Sequence, residues 1–180
     1  IAATIAGNEQ ALATLDSART KFLKPGVSAT ALGNVCDVIG GYAFKSTSFW
    51  VKTSNGNSGL FSMFTAGTQL YLTGGNLAAK RGTETLVTTG KNYADNAWDH
   101  IAYSYGSSLS GGQYSGQRVY VDGVQVLTGA DYSSPTTVVT TVYFGYASAA
   151  ASPYLNGYLD EAAYWYNRLL TQQDVTNLYT

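Results

Sequence analysis

Charge is scarce in this chain. Lys, Arg, Asp and Glu together make up 12% of its 180 residues, about half the usual globular share. The ten basic residues are scattered from Arg19 to Arg168, and the net charge is −1. No basic stripe exists to neutralise a row of phosphates, so nucleic acid is not an expected partner. Cysteine is limited to Cys36, which excludes an intrachain disulfide and a thiolate metal cluster and reads as a small buried hydrophobe. Histidine occurs once, at His100, with no Ser or Cys near it in a nucleophile motif, so no triad can be assembled around it. A single imidazole is also a poor nucleus for a metal site. No apolar run approaches the ~20 residues that a membrane-spanning helix needs.

Ser, Thr, Asn, Gly and 15 Tyr take the place of the missing charge. A neutral, hydroxyl-rich and Tyr-rich surface points to an extracellular or virion-surface setting. The chain starts at Ile1 rather than Met, which reads as a processed product or an excised fragment. Its length suits one domain that buries roughly 70% of its unfolded surface.

Period-two patterns dominate. Ser48–Lys52 and His100–Tyr105 alternate as strands do, and Leu60–Phe64, Thr68–Thr73, Thr83–Thr88, Val138–Phe144 and Tyr158–Tyr166 are further strand candidates. Arg118–Val121 and Val124–Leu127 flank Asp122-Gly123, the strongest short hairpin signal, because a type I′ turn needs positive φ at both central residues. Gly74-Gly75 and Gly111-Gly112 read as turns, since neither stands in the strand–turn–helix context of a phosphate loop. Only two segments suit a helix. One is the Ala-rich Glu9–Thr20, which could equally be an extended arm; the other follows Thr171, an N-cap with Asp174 three residues on. Many short strands without intervening helices predict an all-β, two-sheet antiparallel jelly-roll sandwich closed by a short C-terminal helix. Residues 1–15 are expected to form a strand-poor arm that packs on another subunit or another part of an assembly, and residues 16–180 the domain.

Four blocks carry a family resemblance: Ser48-Phe-Trp-Val-Lys52, Ala97-Trp-Asp-His-Ile-Ala102, Val119-Tyr-Val-Asp-Gly123, and the stretch from Gly157 to Tyr179. The last contains Leu159-Asp-Glu161, then Asn167-Arg-Leu-Leu-Thr171, then Leu178-Tyr179. In this order they resemble the laminin-G-like, concanavalin-A-like lectin/glucanase superfamily over about Phe44 to Tyr179. The resemblance implies a concanavalin-A-like jelly roll and makes Asp160 and His100 framework residues. It leaves function open, because that superfamily spans lectins, hydrolases, adhesion modules and phage structural proteins.

A glycosidase reading finds little support. Retaining hydrolysis needs two carboxylates ~5.5 Å apart on one face. Glutamate occurs only as Glu9, Glu84 and Glu161, and none lies two or four residues from another acid. Asp160 and Glu161 are adjacent, so on a regular strand they point to opposite faces. No catalytic residue is therefore assigned. Many relatives bind calcium at a sandwich rim. Here Gly145–Asn156 and everything between Lys52 and Gln69 lack Asp and Glu, so no metal or other cofactor is expected. Asp95 or Asp131 could contribute at most to a weak site.

The aromatics are more informative. Trp50, Trp98 and Trp165 fall in or beside strands and read as core. Tyr93, Tyr114, Tyr132, Tyr146 and Tyr154 fall in or beside loops, where a flat apolar face with a hydroxyl suits a sugar ring or a protein contact. They are the candidate ligand-binding residues. The expected function is a non-enzymatic surface recognition or assembly module, secreted or displayed on a virion. Its partners would be proteins of an assembly or glycans, and homo-oligomers are possible. A lectin-like carbohydrate-binding module is the first alternative, and a hydrolase with an unrecognised site the second.

Overall fold

Alternation along nine of the segments above becomes strand, and one further strand joins them. A computed structural model describes residues 44–64, 67–106, 116–129, 141–166 and 169–180. The strands are β1 (Phe44–Thr53), β2 (Gly59–Phe64), β3 (Thr68–Thr73), β4 (Asn76–Arg81) and β5 (Glu84–Val87). After them come β6 (Trp98–Gly106), β7 (Gly116–Val121), β8 (Val124–Thr128), β9 (Thr141–Phe144) and β10 (Gly157–Tyr166), and then α1 (Gln172–Tyr179). One five-stranded sheet runs β10-β1-β6-β7-β8 and the other β5-β4-β3-β2-β9, with every pairing antiparallel. The two-sheet sandwich with one short C-terminal helix is the architecture that the patterning implies. The arm at 1–15, the Glu9–Thr20 segment and Cys36 lie outside the described residues.

β4 was not legible in the sequence. Asn76-Leu-Ala-Ala-Lys-Arg81 lacks β-branched residues and shows no clean alternation, because both of its faces are covered. Leu77 and Ala79 face the core, while Ala78 lies under a separate loop.

The core lies between the sheets. Phe49 from one sheet meets Phe61 and Phe144 from the other, with ring centroids 6.3 and 5.8 Å away, and all three side chains are fully buried. Leu70, Leu72, Ile101 and Val119 fill in around them. The sequence placed all three tryptophans here. Only Trp165 is buried; Trp50 is half-buried and Trp98 is 42% exposed, because both lie on the outward face of their sheet.

Two local devices close the first sheet. Asp122 (φ 51°) and Gly123 (φ 78°) form the expected two-residue turn, and Asp122 Oδ1 accepts from His100 N–H at 3.0 Å. Lys91 donates to Asp99 Oδ1 at 2.5 Å and Asp122 Oδ2 at 3.1 Å. Burial raises the Asp99 pKa, while the two carboxylates together raise Lys91 against its own burial. The half-exposed Lys91 ammonium bridges the two acids. At the other device, Thr171 caps α1 through a full capping box with Asp174. Leu170 N–H reaches Ser46 and Ser104 Oγ, both at 3.1 Å, and Val175 is fully buried against the sheet.

β10 carries a bulge. Ser48 pairs with Ala163 and Trp50 with Asp160, so two residues, Glu161 and Ala162, oppose Phe49. Glu161 takes φ 47°, and its N–H donates to Asp160 Oδ1 at 2.8 Å. Simple alternation of Asp160 and Glu161 therefore fails at this point, because the left-handed residue re-aims the chain.

His100 makes the fold acid-sensitive. Its ring is buried against Trp50 and Tyr179, at centroid distances of 5.2 and 6.1 Å. Burial lowers its pKa, and the nearby Asp122 opposes this only in part. The unfolded chain then binds the proton more readily, so this contribution to stability is complete above the unfolded value of ~6.5 and falls as pH drops towards the lower folded value. Denaturant midpoints of the native chain should fall more steeply between pH 7 and pH 5 than those of His100→Gln. Equal slopes would refute this assignment. Asp99 acts with the opposite sign but is common to both proteins and subtracts out.

Candidate functional site

Three tyrosines stand in a row at one edge of the second sheet. Tyr143 alternates with Val142 and Phe144 on β9; those two enter the core, so Tyr143 faces outward, beside Ser62 of β2. The chain then turns at Gly145 (φ 72°), whose N–H donates to Leu60 C=O at 2.6 Å. The loop from there to Asn156 doubles back on itself. Tyr146 bridges Tyr154, Ala147 N–H donates to Pro153 C=O at 2.9 Å, and Leu155 N–H donates to Gly145 C=O at 2.8 Å. This folding places the Tyr146 ring 5.4 Å from Tyr143 and 5.2 Å from Tyr154, with tilts of 53° and 51°. Tyr143 and Tyr146 are half-buried and Tyr154 is 54% exposed, so the ladder runs from the sheet out into solvent.

The loop is held as a plate over the outer face of the sheet. Ala147 and Ala150 pack on Tyr71 and Ala78 in a small cluster separate from the main core. Gln69 Oε1, projecting from β3, accepts from Ala149 N–H at 2.8 Å and Ser148 Oγ at 3.2 Å. Ser152 is stitched to the β1–β2 loop by Gly59 N–H to Ser152 C=O and Ser152 N–H to Asn57 C=O. The Ser62 hydroxyl beside Tyr143 is buried and has no hydrogen-bond partner among the described residues. Aromatic faces with amide and hydroxyl groups beside them offer stacking together with hydrogen bonding.

Of the five tyrosines singled out from sequence, the structure brings Tyr146 and Tyr154 together and adds Tyr143, which reads in sequence only as a strand residue. Tyr93 is placed differently: it is 4% exposed, its ring lies 4.9 Å from the Lys91 ammonium, and burial raises its pKa. Gly75 C=O accepts its backbone N–H, which draws this loop residue inward. Tyr114 and Tyr132 lie outside the described residues. Among the described residues, no three His, Cys, Asp or Glu side chains converge as metal ligands would.

The model of the concanavalin A-like lectin/glucanases superfamily matches residues 32–176, and the chain belongs to that superfamily. Among solved structures it is similar to the receptor binding domain of botulinum neurotoxin D (TM-score 0.62, 14% identity, 88% of this chain and 42% of that one). It is also similar to the serotype D ligand binding domain in complex with N-acetylneuraminic acid (TM-score 0.60, 14% identity, 81% and 38%). A third is the native heptameric SAP-like pentraxin from Limulus polyphemus (TM-score 0.58, 15% identity, 79% and 72%). At these identities the likeness is one of fold, and the chain spans about two fifths of the length of the neurotoxin domains. No curated protein matches it.

Proposed function

We propose that this chain is a non-enzymatic recognition module that binds carbohydrate against the Tyr143–Tyr146–Tyr154 ladder. The observation that carries this reading is the ladder itself: three rings about 5 Å apart, fixed by backbone hydrogen bonds and open at Tyr154. A rigid, preformed aromatic surface loses little entropy when a sugar ring stacks on it. The glycan-bound and receptor-binding relatives support a binding role. An extracellular or virion-surface setting rests on the low charge and the hydroxyl- and Tyr-rich composition. The absence of catalysis rests on the spacing of the acids.

A glycan array followed by titration tests it. Tyr154→Ala should weaken the best neutral glycan at least tenfold while shifting the unfolding free energy by less than about 0.5 kcal/mol, as expected of an exposed side chain. Unchanged affinity would reject the ladder as the site. A second reading, assembly with a protein partner, draws on edge strand β8, where Val124 and Val126 are exposed. Light scattering on the native chain and on Val124→Lys distinguishes it.

A further inference from the structure

The other sheet presents a different aromatic arrangement on its outward face. Lys52 of β1 pairs with Trp98 of β6 on one side and Tyr158 of β10 on the other, so the three side chains form one row across three strands. Paired residues share a face, and Trp98 lies two residues before His100, which sits under α1, so this face is the outer one. Backbones two strands apart are separated by about 9.6 Å. The Trp98 and Tyr158 ring centroids are only 6.5 Å apart at 55°, so the rings lean towards each other across the strand that carries Lys52. Trp98 is 42% exposed, while Lys52 and Tyr158 are half-buried.

The row is built rather than incidental. Asn96, at φ 64°, donates its N–H to Thr53 C=O at 3.0 Å and ties the approach to Trp98 onto the end of β1. Asp95 Oδ1 holds Ala97 N–H at 2.9 Å. On the opposite side, a Cβ on Gly157 would collide with Lys52 C=O, so only glycine lets the start of β10 lie this close beneath Tyr158. Among the described residues, the Lys52 ammonium has neither a hydrogen bond nor an ion pair. Asp160 lies one row along, beside Trp50.

We propose that Trp98, Lys52 and Tyr158 form a second binding site, for a pyranose that bears a carboxylate. The sugar's C–H face stacks on the exposed indole, the phenol borders the ring edge, and the unpaired ammonium meets the carboxylate. A neutral sugar would leave that cation without its partner, which makes charge the basis of selectivity. The site uses none of the ladder residues and stands or falls independently of it.

The test titrates the full chain with tetragalacturonic acid and with neutral galactotetraose at low and high salt, following tryptophan fluorescence. The native chain should prefer the uronate at least tenfold, with the preference shrinking as salt rises. Trp98→Ala and the milder Trp98→Phe should weaken uronate binding and remove its fluorescence change. Lys52→Gln should bring the two ligands to similar affinity, and Tyr154→Ala should leave uronate binding unchanged. The proposal is overturned if the native chain binds both sugars equally or binds neither. It is also overturned if Trp98→Phe behaves as the native chain, or if Tyr154→Ala abolishes uronate binding and so places it at the ladder.

Discussion

Phe49→Ala should destabilise the domain by about 3–5 kcal/mol, the largest effect expected of any single truncation here. Phe49 of the first sheet lies against both Phe61 and Phe144 of the second, and none of the three has solvent exposure. Removing its ring deletes the aromatic contacts between the layers and opens a cavity. The bulge on β10 lies opposite Phe49 in the sheet. Urea unfolding followed by circular dichroism measures it: the midpoint should drop sharply with little change in slope. A loss below about 1 kcal/mol would show that the sheets repack freely and that the aromatic contact does not hold them together.

Gly59→Ala should also be damaging, through a different physical route. A Cβ at this position would collide with Pro153 C=O and Ala147 N, the two groups whose hydrogen bond closes the neck of the tyrosine-bearing loop. Both obstacles are backbone, so neither can rotate away, and the loop must lift off the sheet. Overpacking of this kind costs about 1–3 kcal/mol. Lifting the loop also carries Tyr146 and Tyr154 away from Tyr143, so carbohydrate binding at the ladder should fall more than tenfold. Tyr143→Ala, which removes one ring without moving the backbone, is the matched comparison. If Gly59→Ala keeps both stability and affinity, the loop does not depend on its close seat on β2.

Much of the fold was legible because the sheets are amphipathic and the turns are chemically marked. Thr68–Thr73 was read with its observed bounds, and the Asp122-Gly123 turn and the Thr171 cap each follow from local hydrogen bonding that needs no tertiary context. β4 was missed because its alanines signal nothing about strand, and its place is set by pairing with β3 and β5. The family model reaches back to residue 32, before the first block that carries the resemblance.

The candidate sites divide in the same way. That Tyr146 and Tyr154 fall in or beside a loop is a statement about sequence, and it suffices to nominate them. Loop membership misjudged Tyr93, because a backbone hydrogen bond to Gly75 draws it into the core. Strand membership misjudged Trp98, because a strand has two faces and hydrophobicity does not say which of them is covered. The all-β class, the hairpin and the capped helix were legible from the chain alone, since these depend on neighbours a few residues apart. The tyrosine ladder depends on how its loop doubles back beside β9, and the row of Trp98, Lys52 and Tyr158 depends on strand register, which joins residues 46, 60 and 106 positions apart; no local pattern encodes either.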